Sequence, residues 1–317
     1  METGDSIRTV PALLRQHAGD RGDQIAFSDQ RREITYAELE RRTARIAGHL
    51  AGLGIRPGDR VAIACGNRVE AAESCLAVTR AAAVGVPLDP RASGTDLARV
   101  LRGSGARLVI TDTGHVGNLG PIPELGMPVV LAGSETRDGC VPYEELVELP
   151  APADPADSLD LDAPAWMMYT SGTTGHSKGV LSSQRAAMWA PAACYIPIFG
   201  LSPRDRLLWP LPIFHSYAHS LCILGVLAVG AGAHILGDED LPRGLERPGI
   251  TVLAGVPATF LRLVSSARAH DQPASPRPAS PRPASPRPAA SRFAKDLRAC
   301  VTAGAPCPPR LRDDVRD

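Results

Sequence analysis

Residues 169–179 concentrate the chemistry of this chain. Tyr169, Thr170, Ser171, Gly172, Thr173, Thr174, Gly175, His176, Ser177, Lys178 and Gly179 bring together five Ser/Thr hydroxyls, three glycines and one lysine. That is the make-up of a polyphosphate cradle. Glycines tolerate positive φ and let the backbone approach an anion, while hydroxyls and exposed N–H groups donate to phosphate oxygens. Lys178 supplies the compensating charge. The apolar run at residues 164–168 reads as a buried strand that mounts the loop. The hydrophobic stretch after the loop either continues the sheet or opens a helix.

Composition alone describes a solvent loop as well as a cradle, so residue order decides. A Walker A loop needs glycine immediately before its lysine, and Ser177 stands there. The S-x-x-K pattern of penicillin-binding enzymes needs serine three residues before the lysine, where this chain has Gly175. The segment resembles instead the phosphate loop of the adenylate-forming superfamily: acyl- and aryl-CoA synthetases, firefly luciferases and the adenylation domains of peptide synthetases. The family form T-S-G-T-T-G-x-P-K-G is matched at every fixed position but one, where Ser177 replaces proline.

Further landmarks of that family follow in order, reaching to about residue 311. Ile34, Thr35, Tyr36, Ala37, Glu38 and Leu39, followed by residues 54–63, resemble its opening helix and first core strand. Local physics supports the helix independently. Thr35 and Glu38 have capping-box spacing, Leu39, Ile46, Leu50 and Leu53 share one helical face, and Gly54 can end the helix. Residues 81–91 resemble the family's RAGAVVVPLNP turn, and residues 211–218 its LPLFHxxG, with Ala218 in place of the glycine. Gly255, Val256 and Pro257, and then Thr302, Ala303, Gly304, Ala305 and Pro306, match two later landmarks.

The resemblance implies an α/β fold of two pseudo-symmetric, mostly parallel sheet subdomains with helices on both faces and the active site near their junction. Residues 1–163 are expected to form the first subdomain and residues 164–317 the second. The family's Y-G-x-T-E segment, its ribose-gripping aspartate, its hinge and its small C-terminal domain with a catalytic lysine have no counterpart in the chain. The second subdomain is therefore expected to be incomplete and the small domain absent, leaving an N-terminal fragment inactive on its own.

By the same resemblance, Thr170, Ser171, Gly172, Thr173, Thr174, Gly175 and Lys178 bind the β- and γ-phosphates of ATP, with Mg2+ balancing charge. His215 lines the acyl pocket near the reacting carboxylate, and Gly304, Ala305 and Pro306 form a wall between the acyl and adenine sites. Leu211, Pro212, Ile213 and Phe214 before His215 put it at a strand end, where open α/β sheets build their sites. In the family a carboxylic acid attacks the α-phosphorus to give an acyl-adenylate and pyrophosphate, and a thiol then displaces AMP. That thiol is coenzyme A in acyl-CoA synthetases, or the phosphopantetheine of an acyl carrier protein in the loading ligases of polyketide and peptide assembly lines. Residues 214–226 resemble such loading ligases. A third reading is a remnant that no longer catalyses.

Composition sets limits. A chain of 317 residues has room for about two domains. Lys plus Arg and Asp plus Glu both number 34, so no net field invites nucleic acid or an anionic membrane. No apolar run is long enough to span a bilayer and no signal core follows Met1, which points to a cytoplasmic protein. The seven cysteines, at 65, 75, 140, 194, 222, 300 and 307, lack zinc spacing, and their odd count argues against a disulfide framework. His215 and His219 share a helical face as two metal ligands do, yet Ser216 stands where a zinc protease has glutamate and no third ligand follows. No metal site is read.

Strand-like runs at Arg60–Ala64, 107–111, 128–131, Arg206–Trp209, 233–236 and 251–254 alternate with helix-like segments, the pattern of parallel sheets covered by helices. Residues 154–163 read as a connector. Within residues 272–291, positions 274–288 repeat Ala-Ser-Pro-Arg-Pro three times. A run without core-forming side chains and with few backbone donors reads as a disordered or polyproline II surface insertion.

Overall fold

The computed structural model describes residues 7–133, 135–156, 160–170, 178–271 and 295–316. The repeat at residues 274–288 and the loop residues 171–177 lie outside the described residues. In chain order the strands are β1 (Ile25–Ser28), β2 (Glu33–Thr35), β3 (Arg60–Ala64), β4 (Val84–Pro87), β5 (Ala106–Asp112), β6 (Val129–Ala132) and β7 (Cys140–Pro142). They continue with β8 (Pro164–Thr170), β9 (Lys178–Ser183), β10 (Arg206–Trp209), β11 (Gly232–Ile235), β12 (Val252–Gly255) and β13 (Ala299–Thr302). The first six α-helices in chain order are α1 (Val10–Arg21), α2 (Tyr36–Gly52), α3 (Val69–Arg80), α4 (Gly94–Ser104), α5 (Tyr143–Glu148) and α6 (Gln184–Ala190).

Two sheets result. The first runs β7-β6-β5-β3-β4-β8-β9 and the second β13-β12-β10-β11-β1-β2. All neighbours are parallel except the pairs β1–β2 and β8–β9. The expected division at residue 163 does not coincide with the division between sheets, because β8 and β9 complete the first sheet while β1 and β2 extend the second. Side-chain fit supports that placement of β8. Trp166 pairs with Gly85 of β4 and is fully buried, and a Cβ on Gly85 would stand 3.2 Å from the indole Cδ1. A side chain there would require the indole to give by a few tenths of an ångström.

Local chemistry explains α2. Thr35 Oγ1 accepts from Glu38 N–H at 3.3 Å, and Glu38 Oε2 accepts from Thr35 N–H at 2.9 Å. At the other end Gly54 takes φ +87°, and Ile55 N–H returns to Leu50 O at 3.0 Å. Between them Leu39, Ile46 and Leu50 are fully buried.

Helix α3 is buried on every residue, since it packs against β3 and β4 of one sheet and β1 of the other. Its buried charges are paired. Glu73 receives the Arg42 guanidinium of α2 at 2.5 and 2.9 Å, and Glu70 receives Arg68 at 2.7 Å. One hydrophobic core therefore runs through both sheets, from Val61 and Ile63 to Phe27, Ala233 and Trp209.

Candidate functional site

The phosphate-loop segment sits on a hairpin. β8 and β9 pair antiparallel with Thr170 opposite Lys178, so the stretch after the loop continues the sheet. Both residues are exposed, leaving a hydroxyl and an ammonium free to face an anion. Ser171, Gly172, Thr173, Thr174 and Gly175 lie outside the described residues. Gly179 next to Lys178 packs closely: a Cβ there would come within 2.8 Å of Met167 Sδ and 3.3 Å of Tyr169 Cζ, so the Met167 side chain would have to move.

His215 reaches the same place from the second sheet. β10 ends at Trp209, and the chain then runs through Ile213, which is buried, to Phe214 and His215. The His215 ring lies 4.5 Å from that of Phe214 and is exposed. Next to it is a cavity of about 470 Å³ lined by Pro87, Leu88, Met168, Tyr169, Gly179, Phe214 and His215, with Asp96, Arg99 and Val100 of α4 on its wall. Charge on the lining comes from Asp96 and Arg99 of α4 and from Asp89 of the segment before it. Arg91, ion-paired to Asp89 at 3.1 Å, places its guanidinium 6.0 Å from the centre of the Phe214 ring.

From Ala218 to Gly225 the backbone follows π-helical i→i+5 bonding, a rare geometry that concentrates at functional sites. His219 N–H donates to His215 O at 3.0 Å, so the histidines stand one turn apart. Their surroundings differ. His219 is buried edge-on against Trp166 at 4.6 Å, and burial lowers its pKa to about 4. It is neutral near pH 7, and neither of its ring nitrogens has a hydrogen-bond partner among the described residues. An exposed and a buried imidazole do not form a ligand pair. Among the described residues no cluster of three or more His, Cys, Asp or Glu could hold a metal ion.

Gly304, Ala305 and Pro306 form an exposed stretch just after β13, with Gly304 at φ +83°. They are not among the described residues lining the His215 cavity. The link between the two places is Tyr217, whose hydroxyl donates to Val301 O of β13 at 3.3 Å and whose ring meets Trp209 edge-on at 5.0 Å.

Two contributors escaped the sequence reading. Helix α4 forms a wall of the cavity, although its residues carry only ordinary amphipathic spacing. Asn67 ties the loop before His215 to the first sheet. The only sequence signal there was a Gly-Asn turn after an apolar strand.

Comparison with known proteins identifies the family. A family model described as AMP-binding enzyme matches residues 14–317. Naringenin synthase of Pestalotiopsis fici is 39% identical over 324 residues, covering 98% of this chain and 11% of that protein. Feruloyl-CoA synthase of an Amycolatopsis species is 32% identical over 240 residues, covering 74% of this chain and 46% of that one. The chain thus spans less than half the length of either relative. Among solved structures, the anthranilate CoA ligase AuaEII in complex with anthranoyl-AMP superposes with a TM-score of 0.83 at 18% identity, over 99% of this chain and 59% of that one. A match over nearly the whole chain, on a fold of two mostly parallel sheets, makes this protein a member of the AMP-binding enzyme family, the adenylate-forming superfamily that includes the acid–CoA ligases.

Proposed function

We propose that this chain is the ATP- and acid-binding part of an enzyme that activates an aryl carboxylic acid as its acyl-adenylate and passes the acyl group to a thiol. One observation carries the reading: the cavity beside His215 is walled by Tyr169 and Gly179, the neighbours of Thr170 and Lys178 at the base of the phosphate loop. An acid held there lies next to the nucleotide's phosphates, as the reaction requires. A carboxylate oxygen forms a bond to the α-phosphorus while the bond to pyrophosphate breaks, and Mg·ATP enters as substrate. Lys178 and the loop hydroxyls offset charge on the departing pyrophosphate. His215 orients the carboxylate at the cavity mouth, and Phe214, Met168 and Leu88 provide apolar contact for a ring. Naringenin synthase and feruloyl-CoA synthase among the relatives support an aryl substrate.

The thiol is proposed to belong to a carrier protein. Support comes from naringenin synthase, of which this chain matches only 11%, leaving most of that protein to other parts. Coenzyme A is the competing acceptor, favoured by the feruloyl-CoA synthase match. Calorimetry of the purified chain with Mg·ATP and with hydroxycinnamic and benzoic acids tests the first step: binding of both ligands is expected, and binding of neither sinks the reading. Mass spectrometry of thioesters formed with coenzyme A or a phosphopantetheinylated carrier then separates the two acceptors.

A further inference from the structure

The carboxyl-end loops of the two sheets are joined through one side chain. β3 ends at Ala64, and Cys65, Gly66 and Asn67 turn toward α3. Asn67 Nδ2 donates to Leu211 O and to Leu236 O, both at 2.8 Å, and its Oδ1 accepts from Ile213 N–H at 2.9 Å. An asparagine that only shapes a turn bonds its own neighbouring backbone. Asn67 instead directs both amide donors and its carbonyl at the second sheet, 144 to 169 residues away. The groups it holds are the segment leaving β10 and the end of β11, and Ile213 lies two residues before His215.

Asn67 is itself held on both sides. Gly66 N–H donates to Asp112 Oδ2 at 2.7 Å, the Arg68 guanidinium bonds Ala132 O at 3.3 Å, and Val69 N–H donates to Asp29 Oδ2 at 2.9 Å. The held segment is tightly packed. Ile213 and Phe214 face Ile63, Cys65, Cys75 and Pro87 of the first sheet and α3 around a void of only about 10 Å³. A fixed anchor, a bonded backbone and a filled contact surface leave the segment one path, and that path brings His215 to the cavity.

We propose that Asn67 is a positioning residue for His215, fixing the backbone of Leu211 and Ile213 so that the imidazole faces the cavity. Its consequence for chemistry rests on the reading of His215 as the residue beside the reacting acid, whereas the positioning itself does not.

The test uses the full chain with its eight histidines isotope-labelled, His215 being assigned with a His215→Asn variant. In Asn67→Ala and Asn67→Asp, the His215 ring resonances are expected to shift and broaden while those of His17 and His49, on α1 and α2, stay in place. In Asn67→Ala the Ile213 amide should exchange with solvent about tenfold faster or more once its acceptor is gone, whereas Asn67→Asp keeps that acceptor oxygen and loses only the two donors to Leu211 O and Leu236 O. Unmoved His215 resonances, or His17 and His49 moving together with them, would overturn the proposal. Where neither variant folds, the unsubstituted chain decides: an Ile213 amide exchanging at the rate of a free peptide amide means that the bond does not hold. Calorimetry adds a functional arm. Asn67→Ala should weaken binding of 4-hydroxycinnamic acid about tenfold and leave Mg·ATP within about twofold. Should the unsubstituted chain bind no acid, the acid-activation reading fails, and the resonance and exchange measurements still judge Asn67.

Discussion

Thr170 and Lys178 face each other across the antiparallel pair β8–β9, so residues 171–177 leave and re-enter the fold on one hairpin. A loop mounted this way has its two ends held in register. If it cradles the phosphates, Thr173→Val/Thr174→Val should weaken Mg·ATP binding by about 1.5 to 3 kcal/mol for each bond lost to a charged oxygen. Lys178→Ala should weaken it further. Isothermal titration measures both, and unchanged affinity in the double variant would remove the loop from nucleotide binding.

The buried charges between α2, α3 and α5 give a stability prediction. Arg42 donates to Glu73 at 2.5 and 2.9 Å and to Glu144 at 3.0 Å, with Glu73 fully buried and further bonded by the Tyr143 hydroxyl at 2.9 Å. Arg42→Met leaves that carboxylate without its cation and should cost about 3 to 5 kcal/mol. The double change Arg42→Met/Glu73→Leu should recover much of the loss, because no uncompensated charge remains. Urea unfolding of the three proteins checks the order, and a double variant no more stable than Arg42→Met contradicts it.

Acid should destabilise the fold through two histidines. His219 and His234 both have pKa values lowered to about 4, the first by burial and the second by burial aided by Arg247 and Arg206. An unfolded histidine titrates near 6.5, so between about pH 6.5 and 4 the unfolded chain binds more protons and stability falls as pH falls. His219→Phe should flatten this slope by on the order of 3 kcal/mol across that window. Unfolding free energies at pH 7 and pH 4.5 are the measurement, and an unchanged difference in the variant would disprove the assignment.

The repeat at residues 274–288 gives the mildest expectation. Its Ala, Ser, Pro and Arg residues offer no core-forming side chains, and shortening a loop changes closure by only about 1 kcal/mol. Deleting it should therefore leave the melting temperature within a few degrees. Loss of soluble protein on deletion would mean that the segment packs after all.

Much of the local structure was legible in the residues themselves. The Thr35 and Glu38 cap, the Gly54 stop and the runs at Arg60–Ala64 and Arg206–Trp209 became the elements that their neighbours in the chain specify. The other strand-like runs lie within a residue of β5, β6, β11 and β12. These features depend on hydrogen bonds and side-chain periods spanning a few residues, which a sequence displays directly. Sheet membership was not so displayed. β8 pairs with β4 of the first sheet, where Trp166 stands opposite Gly85, 81 positions earlier, and β1 pairs with β11 of the second, where Ser28 meets His234 at 2.9 Å. The same is true of the site. The motif named Lys178 and His215 as chemistry-bearing residues, but the cavity that His215 shares with Tyr169 and Gly179, the α4 wall and the Asn67 clamp on Ile213 arise only when residues of both sheets come together. Such pairings join residues far apart in the chain, and their energy comes from burial and geometry that no local pattern records.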